Sequence, residues 1–124
     1  IDGLHHYDQV KKDIENSIKF LNENGIILIH DCLPNNINAQ AVPRTEIDWN
    51  GDVWKAFVEI RTKPYLDSYT CYADHGIGVI LKRNNRSLLN IDTKNFKSLK
   101  FNYFYKNHKI IMNIVMYDEL LKII

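Results

Sequence analysis

Only two cysteines, Cys32 and Cys71, occur in 124 residues. That is too few for a disulfide framework in a chain of this length, and a reducing, cytoplasmic setting is the default expectation. No apolar run approaches the roughly 20 residues needed to span a bilayer, and no signal-peptide pattern opens the chain. Glycine and proline are scarce, at five and three residues, and no Gly-x-Gly-x-Gly loop for a nucleotide is present. Internal repeats and low-complexity stretches are also missing.

What is present is ordinary for a globular domain: 45% hydrophobic and 25% charged residues. This composition excludes a disordered tail and allows one hydrophobic core. Charge is uneven. Residues 1–81 carry 7 basic and 12 acidic side chains, a net −5, whereas residues 82–124 carry 9 and 3, a net +6. Asymmetry of this kind more often marks a solvated face than an anionic partner, so neither nucleic acid nor membrane is expected.

The hydrophobic periodicity predicts an α/β fold. Val10, Ile14, Ile18 and Leu21 make one apolar stripe on a helix from Asp8 to Asn22. Asp8 sits in its first turn with Lys12 four residues on, and Asn24-Gly25 is the stop, with Gly25 suited to a left-handed position. Ile26 to Ile29 then predicts a buried strand. Because Ile1-Asp2-Gly3 reads as the end of another strand, the pattern is a βαβ unit of a parallel sheet whose first strand is nearly all missing. Residues 34–52 form a long loop, and Val53 to Arg61 a second helix. Val53, Trp54, Phe57 and Ile60 turn inward there, with Asp52 as its cap and Pro64 beyond its end. Tyr69–Ala73 and Ile77–Leu81 predict an antiparallel hairpin around Asp74-His75-Gly76. The stretch from Phe101 to Ile124 is expected to be helical, on a stripe of Phe104, Ile111, Ile114 and Val115.

In open α/β sheets ligands bind at the carboxyl ends of the strands. Two such ends, at Asp2 and Asp31, share a rim if their strands are neighbours, with His5, His6 and His30 nearby. Two carboxylates with imidazoles can hold a divalent cation or orient a general base. The bland alternatives are that these aspartates serve turns or caps, that His5 caps a helix and that His6 is a surface residue.

The segments IDGLHHYDQVKKDI at 1–14, GIILIHDCLP at 25–34, WNGDVWKAF at 49–57 and DHGIGVILK at 74–82 together resemble the C-terminal half of a class I S-adenosylmethionine-dependent methyltransferase. The likeness is to the branch with Asp-Gly-x-His-x-Tyr after the fourth strand and His-Asp after the fifth. It implies a Rossmann-like sheet of parallel strands ending in an antiparallel hairpin. Residues 1–82 would be the C-terminal half of the catalytic domain, and 83–124 a basic, helical extension of it. The glycine-rich cofactor loop is then expected before Ile1, so a fragment of this length would be inactive alone. The resemblance implies methyl transfer from S-adenosylmethionine to an oxygen or nitrogen of a small, sugar-like or hydroxylated acceptor.

Carried over by residue, the resemblance makes Asp2, His5 and His30 catalytic, with His5 the first choice of base and His30 the second. Asp2 and Gly3 border the cofactor, and Asp2 and Asp31 could hold a divalent cation such as magnesium. Cys32, where relatives carry an amide or acid, is a poor ligand for that ion. Arg44 and Trp49 belong to a candidate acceptor lid, although Trp49 and Trp54 more often pack than bind. Competing readings are a metal-dependent hydrolase using Asp2, His30 and Asp31, a non-catalytic Rossmann-like remnant, and a Cys32 nucleophile served by His30. The oligomeric state is left open.

Overall fold

A computed structural model describes all of residues 1–124. Helix α1 spans Tyr7–Phe20 and is followed by strand β1, Ile26–Ile29. After a long loop come helix α2, Val53–Arg61, and the strand pair β2, Asp67–Cys71, and β3, Ile77–Leu81. A 3-10 turn at Phe96–Ser98 leads to α3, Phe101–Ile111, the two-residue strand β4, Ile114–Val115, and α4, Tyr117–Ile123. No helix is long and apolar enough to cross a membrane.

The sheet order is β1-β3-β2-β4. The expected hairpin forms, but its second strand inserts between β1 and β2 and runs antiparallel to both. The sheet is therefore mixed, and its parallel ladder joins β2 to β4. The expectation of a mainly parallel sheet is corrected to that extent. A further parallel link survives at the free edge of β1. There the Ile1 amino group donates to the Leu28 carbonyl at 2.6 Å, and His30 N–H donates to the Ile1 carbonyl at 3.0 Å. One residue bonded to the two that flank Ile29 is the slanted pattern of a parallel pair.

One face of the sheet carries the main core. Ile27, Ile29 and Ile80 pack beneath Val10 and Ile14 of α1, Trp54, Phe57 and Val58 of α2, and Phe104 and Ile111 of α3. The basic C-terminal stretch thus shares one core with the first 80 residues. A smaller cluster on the other face joins Tyr69, Cys71, Val79 and Leu81 to Leu120 of α4. That cluster contains residues of β2 and β3 but none of β1, and Ile26 and Leu28 stay exposed at 42% and 54%. The strand expected to be buried on both faces is buried on one, as its alternating burial records.

Three local expectations are revised. Helix α1 stops at Phe20 because Leu21 turns extended, and Gly25 is not left-handed. A Cβ there would lie 2.5 Å from Leu21 Cδ1, so a larger residue would have to push the Leu21 side chain aside. The C-terminal stretch is not one helix either. Asn113 adopts a left-handed φ of 49°, which asparagine tolerates, and the β-branched pair Ile114–Val115 pairs with the edge of β2. Finally, Asp52 precedes α2 but its carboxylate caps none of that helix's amides, and its one side-chain contact there is Oδ2 to Lys55 Nζ at 3.6 Å. Its Oδ1 instead accepts the Tyr7 N–H at 2.6 Å, satisfying one of the unpaired amides in the first turn of α1.

These contacts set the expected order of mutational costs. Trp54 is fully buried against Phe104, with ring centroids 4.9 Å apart. Trp54→Ala should cost about 3–5 kcal/mol, as large aromatic deletions do. Asp52→Ala should cost about 1–2 kcal/mol by removing a helix-end acceptor. Urea unfolding followed by circular dichroism measures both.

Candidate active site at the strand ends

The rim is built from three chain segments. The parallel pairing of Ile1 with β1 brings the residues after each strand end together, so Asp2 and Asp31 face one space. The third segment is the hairpin turn. Asp74, His75 and Gly76 all have positive φ, and a Cβ on Gly76 would sit 2.4 Å from Leu33 Cγ. Only glycine allows this approach. It lets Cys32 N–H donate to the Gly76 carbonyl at 3.0 Å and Leu33 N–H to the His75 carbonyl at 2.8 Å. The turn is thereby strapped to the end of β1, beside His30.

Asp31 is the buried member, 5% exposed, with a left-handed φ of 65°. Its Oδ2 lies 2.9 Å from His30 Nδ1 and 3.1 Å from His5 Nε2. Asp2 is open to solvent, and its Oδ1 lies 3.3 Å from His5 Nε2 and 3.7 Å from His30 Nδ1. His30 Nε2 reaches Asp74 Oδ2 at 3.1 Å. Both ring nitrogens of His30 therefore face carboxylates. Burial disfavours its charged form, but the bond to Asp31, with Asp74 and Asp2 behind it, outweighs burial and raises the imidazole pKa above its ordinary value.

His5 is held differently. Its Nδ1 lies 2.9 Å from the Trp49 carbonyl, which can only accept, so Nδ1 carries a proton. Nε2 is left facing the two aspartates. The Trp49 ring stacks on the imidazole, with centroids 5.2 Å apart and planes 26° from parallel. Tyr7, the last residue of the Asp-Gly-x-His-x-Tyr segment, is buried and donates its hydroxyl to Glu59 Oε2 at 2.5 Å. Burial and that bond push the Tyr7 phenol well above its usual value, so it stays neutral as an anchor between α1 and α2.

Asp2, His5, His30 and Asp31 are thus brought together. Gly3 is exposed at their edge, with nothing nearer to a would-be Cβ than Asp13 Oδ2 at 3.8 Å. His6 is half-buried and meets the Trp49 ring edge-on at 5.7 Å. Cys32 does not join them. Its thiol is fully buried, burial pushes its pKa up to about 12, and its Sγ contacts the Ile29 carbonyl at 3.6 Å. A thiol so held is a packing group and not a nucleophile. Sequence reasoning placed Asp74 and His75 only in a turn. The signal for their role was position, since they follow β2, whose carboxyl end lies on the same side as that of β1.

Asp2, His30 and Asp31 each offer a ligand atom within 4.8 Å of the others. Magnesium favours oxygen donors, and the oxygen of Asp31 that faces the site is already shared by two imidazoles. As arranged, the residues do not fit a magnesium ion.

Because His30 titrates higher in the fold than in the unfolded chain, the sign of its pH effect is defined. Its contribution is complete below the unfolded value of about 6.5 and is lost as pH rises through the raised folded value. Urea midpoints of the native protein and His30→Gln should therefore converge as pH is raised above about 6.5. A gap that widens with pH would contradict the assignment.

No curated protein and no solved structure shows significant similarity to the chain. Residues 1–32, the stretch that supplies Asp2, His5, His30 and Asp31, match the family described as a methyltransferase domain, which supports a methyltransferase function for the chain.

Proposed function

We propose that the rim is the acceptor side of an S-adenosylmethionine-dependent methyltransferase, with His5 as the general base for an oxygen or nitrogen nucleophile on a small hydroxylated, sugar-like acceptor. The observation that carries this reading is the geometry of His5. Nδ1 is committed to the Trp49 carbonyl, and Nε2 is turned toward Asp2 and Asp31. In the neutral ring, the Nε2 lone pair faces two acceptors and lacks a donor. An acceptor O–H or N–H that displaces the solvent-exposed Asp2 carboxylate from Nε2 supplies one.

As the nucleophile reacts, its proton passes to Nε2, and the imidazolium so formed donates to Asp31 and Asp2. This is the orienting-group logic of acid–base catalysis, in which one ring nitrogen is fixed so that the other can move a proton. His30 differs in having a carboxylate at each nitrogen, so no neutral acceptor fixes one of them as the donor and leaves the other for the acceptor's proton. Its role is to hold Asp31 and Asp74 at the rim. Bound S-adenosylmethionine would supply the electrophilic methyl group. Among the residues present, Asp2 and Gly3 would border it, and the chain contains no glycine-rich cradle for the nucleotide. No step is assigned to a metal.

The test uses the protein expressed from its complete reading frame. Calorimetric titration should show binding of S-adenosylmethionine, and a panel of small glycosides and amino sugars should accept its methyl group. His5→Ala should lower kcat about 100- to 10,000-fold with cofactor affinity retained. Unchanged turnover in that variant would remove His5 from the chemistry, and an absence of cofactor binding would overturn the reading as a whole.

A further inference from the structure

We propose that Trp49 is a positioning residue that selects the tautomer and orientation of His5, so that the loop between β1 and α2 serves as a clamp on the base and not solely as a cover over the acceptor. The inference rests on the reading of His5 as the base, and it adds a residue from a segment whose sequence has no periodic signal.

Three sets of contacts lead to it. The first is direct. The Trp49 carbonyl takes the Nδ1 proton of His5 at 2.9 Å, and the Trp49 indole stacks on the same imidazole. Backbone and side chain of one residue thus restrain both the protonation site and the ring plane. The second set fixes Trp49 itself. Its indole Nε1 donates to the Ala41 carbonyl at 2.7 Å, and the Arg44 guanidinium lies over the ring, 5.6 Å from its centroid. Arg44 is held in turn by the carbonyls of Glu46 and Ile47. The indole is therefore braced within its own loop before it meets His5.

The third set brings loop and base into contact. Gly51 has a left-handed φ of 62°, and a Cβ there would lie 1.9 Å from the His5 carbonyl oxygen. The bare glycine lets the two main chains touch. Asp52 then bonds across the junction twice, its N–H donating to the His5 carbonyl at 3.1 Å and its Oδ1 accepting the Tyr7 N–H. With His5 clasped on both sides, Nε2 has one direction left, toward Asp2 and Asp31. Without the clamp, the ring could place its proton on Nε2, and that nitrogen could no longer receive one from an acceptor.

The experiment reads the tautomer directly. In protein labelled with 15N-histidine, two-bond 15N–1H correlation spectra at pH 8.5 should show His5 protonated on Nδ1. Both variants keep the main-chain carbonyl, so the ring alone is tested: Trp49→Ala, which removes the indole that braces residue 49 and stacks on the imidazole, should lose that preference with helix content unchanged by circular dichroism, and Trp49→Phe, which keeps a stacked ring, should restore it. In turnover, Trp49→Ala should lower kcat about tenfold to a hundredfold with the KM for S-adenosylmethionine within about twofold, as misplacement of a catalytic group does. Trp49→Phe should recover most of the loss. A native His5 protonated on Nε2 alone would overturn the proposal whatever the variants do, as would an unchanged tautomer in a folded Trp49→Ala. The tautomer can be read without turnover, so failure of this inference is distinguishable from failure of the methyltransferase reading.

Discussion

The carboxylate of Asp52 and the main chain beside it tie the start of α1 to the start of α2, and the place of His5 on the rim depends on that junction. The first amides of a helix have no partner within it, and burying one unpaired costs of order 1–3 kcal/mol. Here the acceptor comes from a residue 45 positions away. The same contact that completes α1 also sets where His5 stands, because His5 lies two residues before Tyr7 and its carbonyl is held by the Asp52 amide. Below the junction, Tyr7 and Lys11 of α1 meet Glu59 of α2, so the two helices are joined by a buried polar link as well as by apolar packing.

Around this frame the rim is a problem of charge. Asp2, Asp31 and Asp74 would repel one another in a confined space, and His5 and His30 lie between them. The two imidazoles are not equivalent. His30 has carboxylates at both nitrogens and is the electrostatic brace, while His5 has a neutral carbonyl at one nitrogen and an anionic rim at the other. That difference arises from which segment each ring meets. His30 follows β1 and faces the hairpin turn, and His5 precedes α1 and faces the loop that enters α2.

Elements with a local cause were legible in the amino-acid sequence. The stripe of Val10 and Ile14, the Ile26–Ile29 run, the Val53–Arg61 helix with its inward Trp54 and Phe57, and the turn at Asp74-His75-Gly76 all stand where periodicity or glycine placed them. The strand-end rule likewise singled out Asp2, His5, His30 and Asp31, and the structure brings them together. What misled was reach. Asp52 looked like the cap of the helix beside it, because a side chain that can cap two helices gives no sign in sequence of which it serves. Ile114 and Val115 fitted a helical stripe imperfectly, and the free edge of β2 was a better partner for two β-branched residues than another turn of helix.

The sequence by itself determined the strand–helix–strand order of the first 30 residues and the pairing of acidic strand ends with imidazoles, since each depends on residue types a few positions apart. Only the tertiary structure decided that β3 lies between β1 and β2, that Asp74 reaches His30, and that Trp49 holds His5. Each of those contacts joins segments more than 40 residues apart, and its geometry is set by backbone register and by the room left at Gly51 and Gly76. No local propensity encodes such distances.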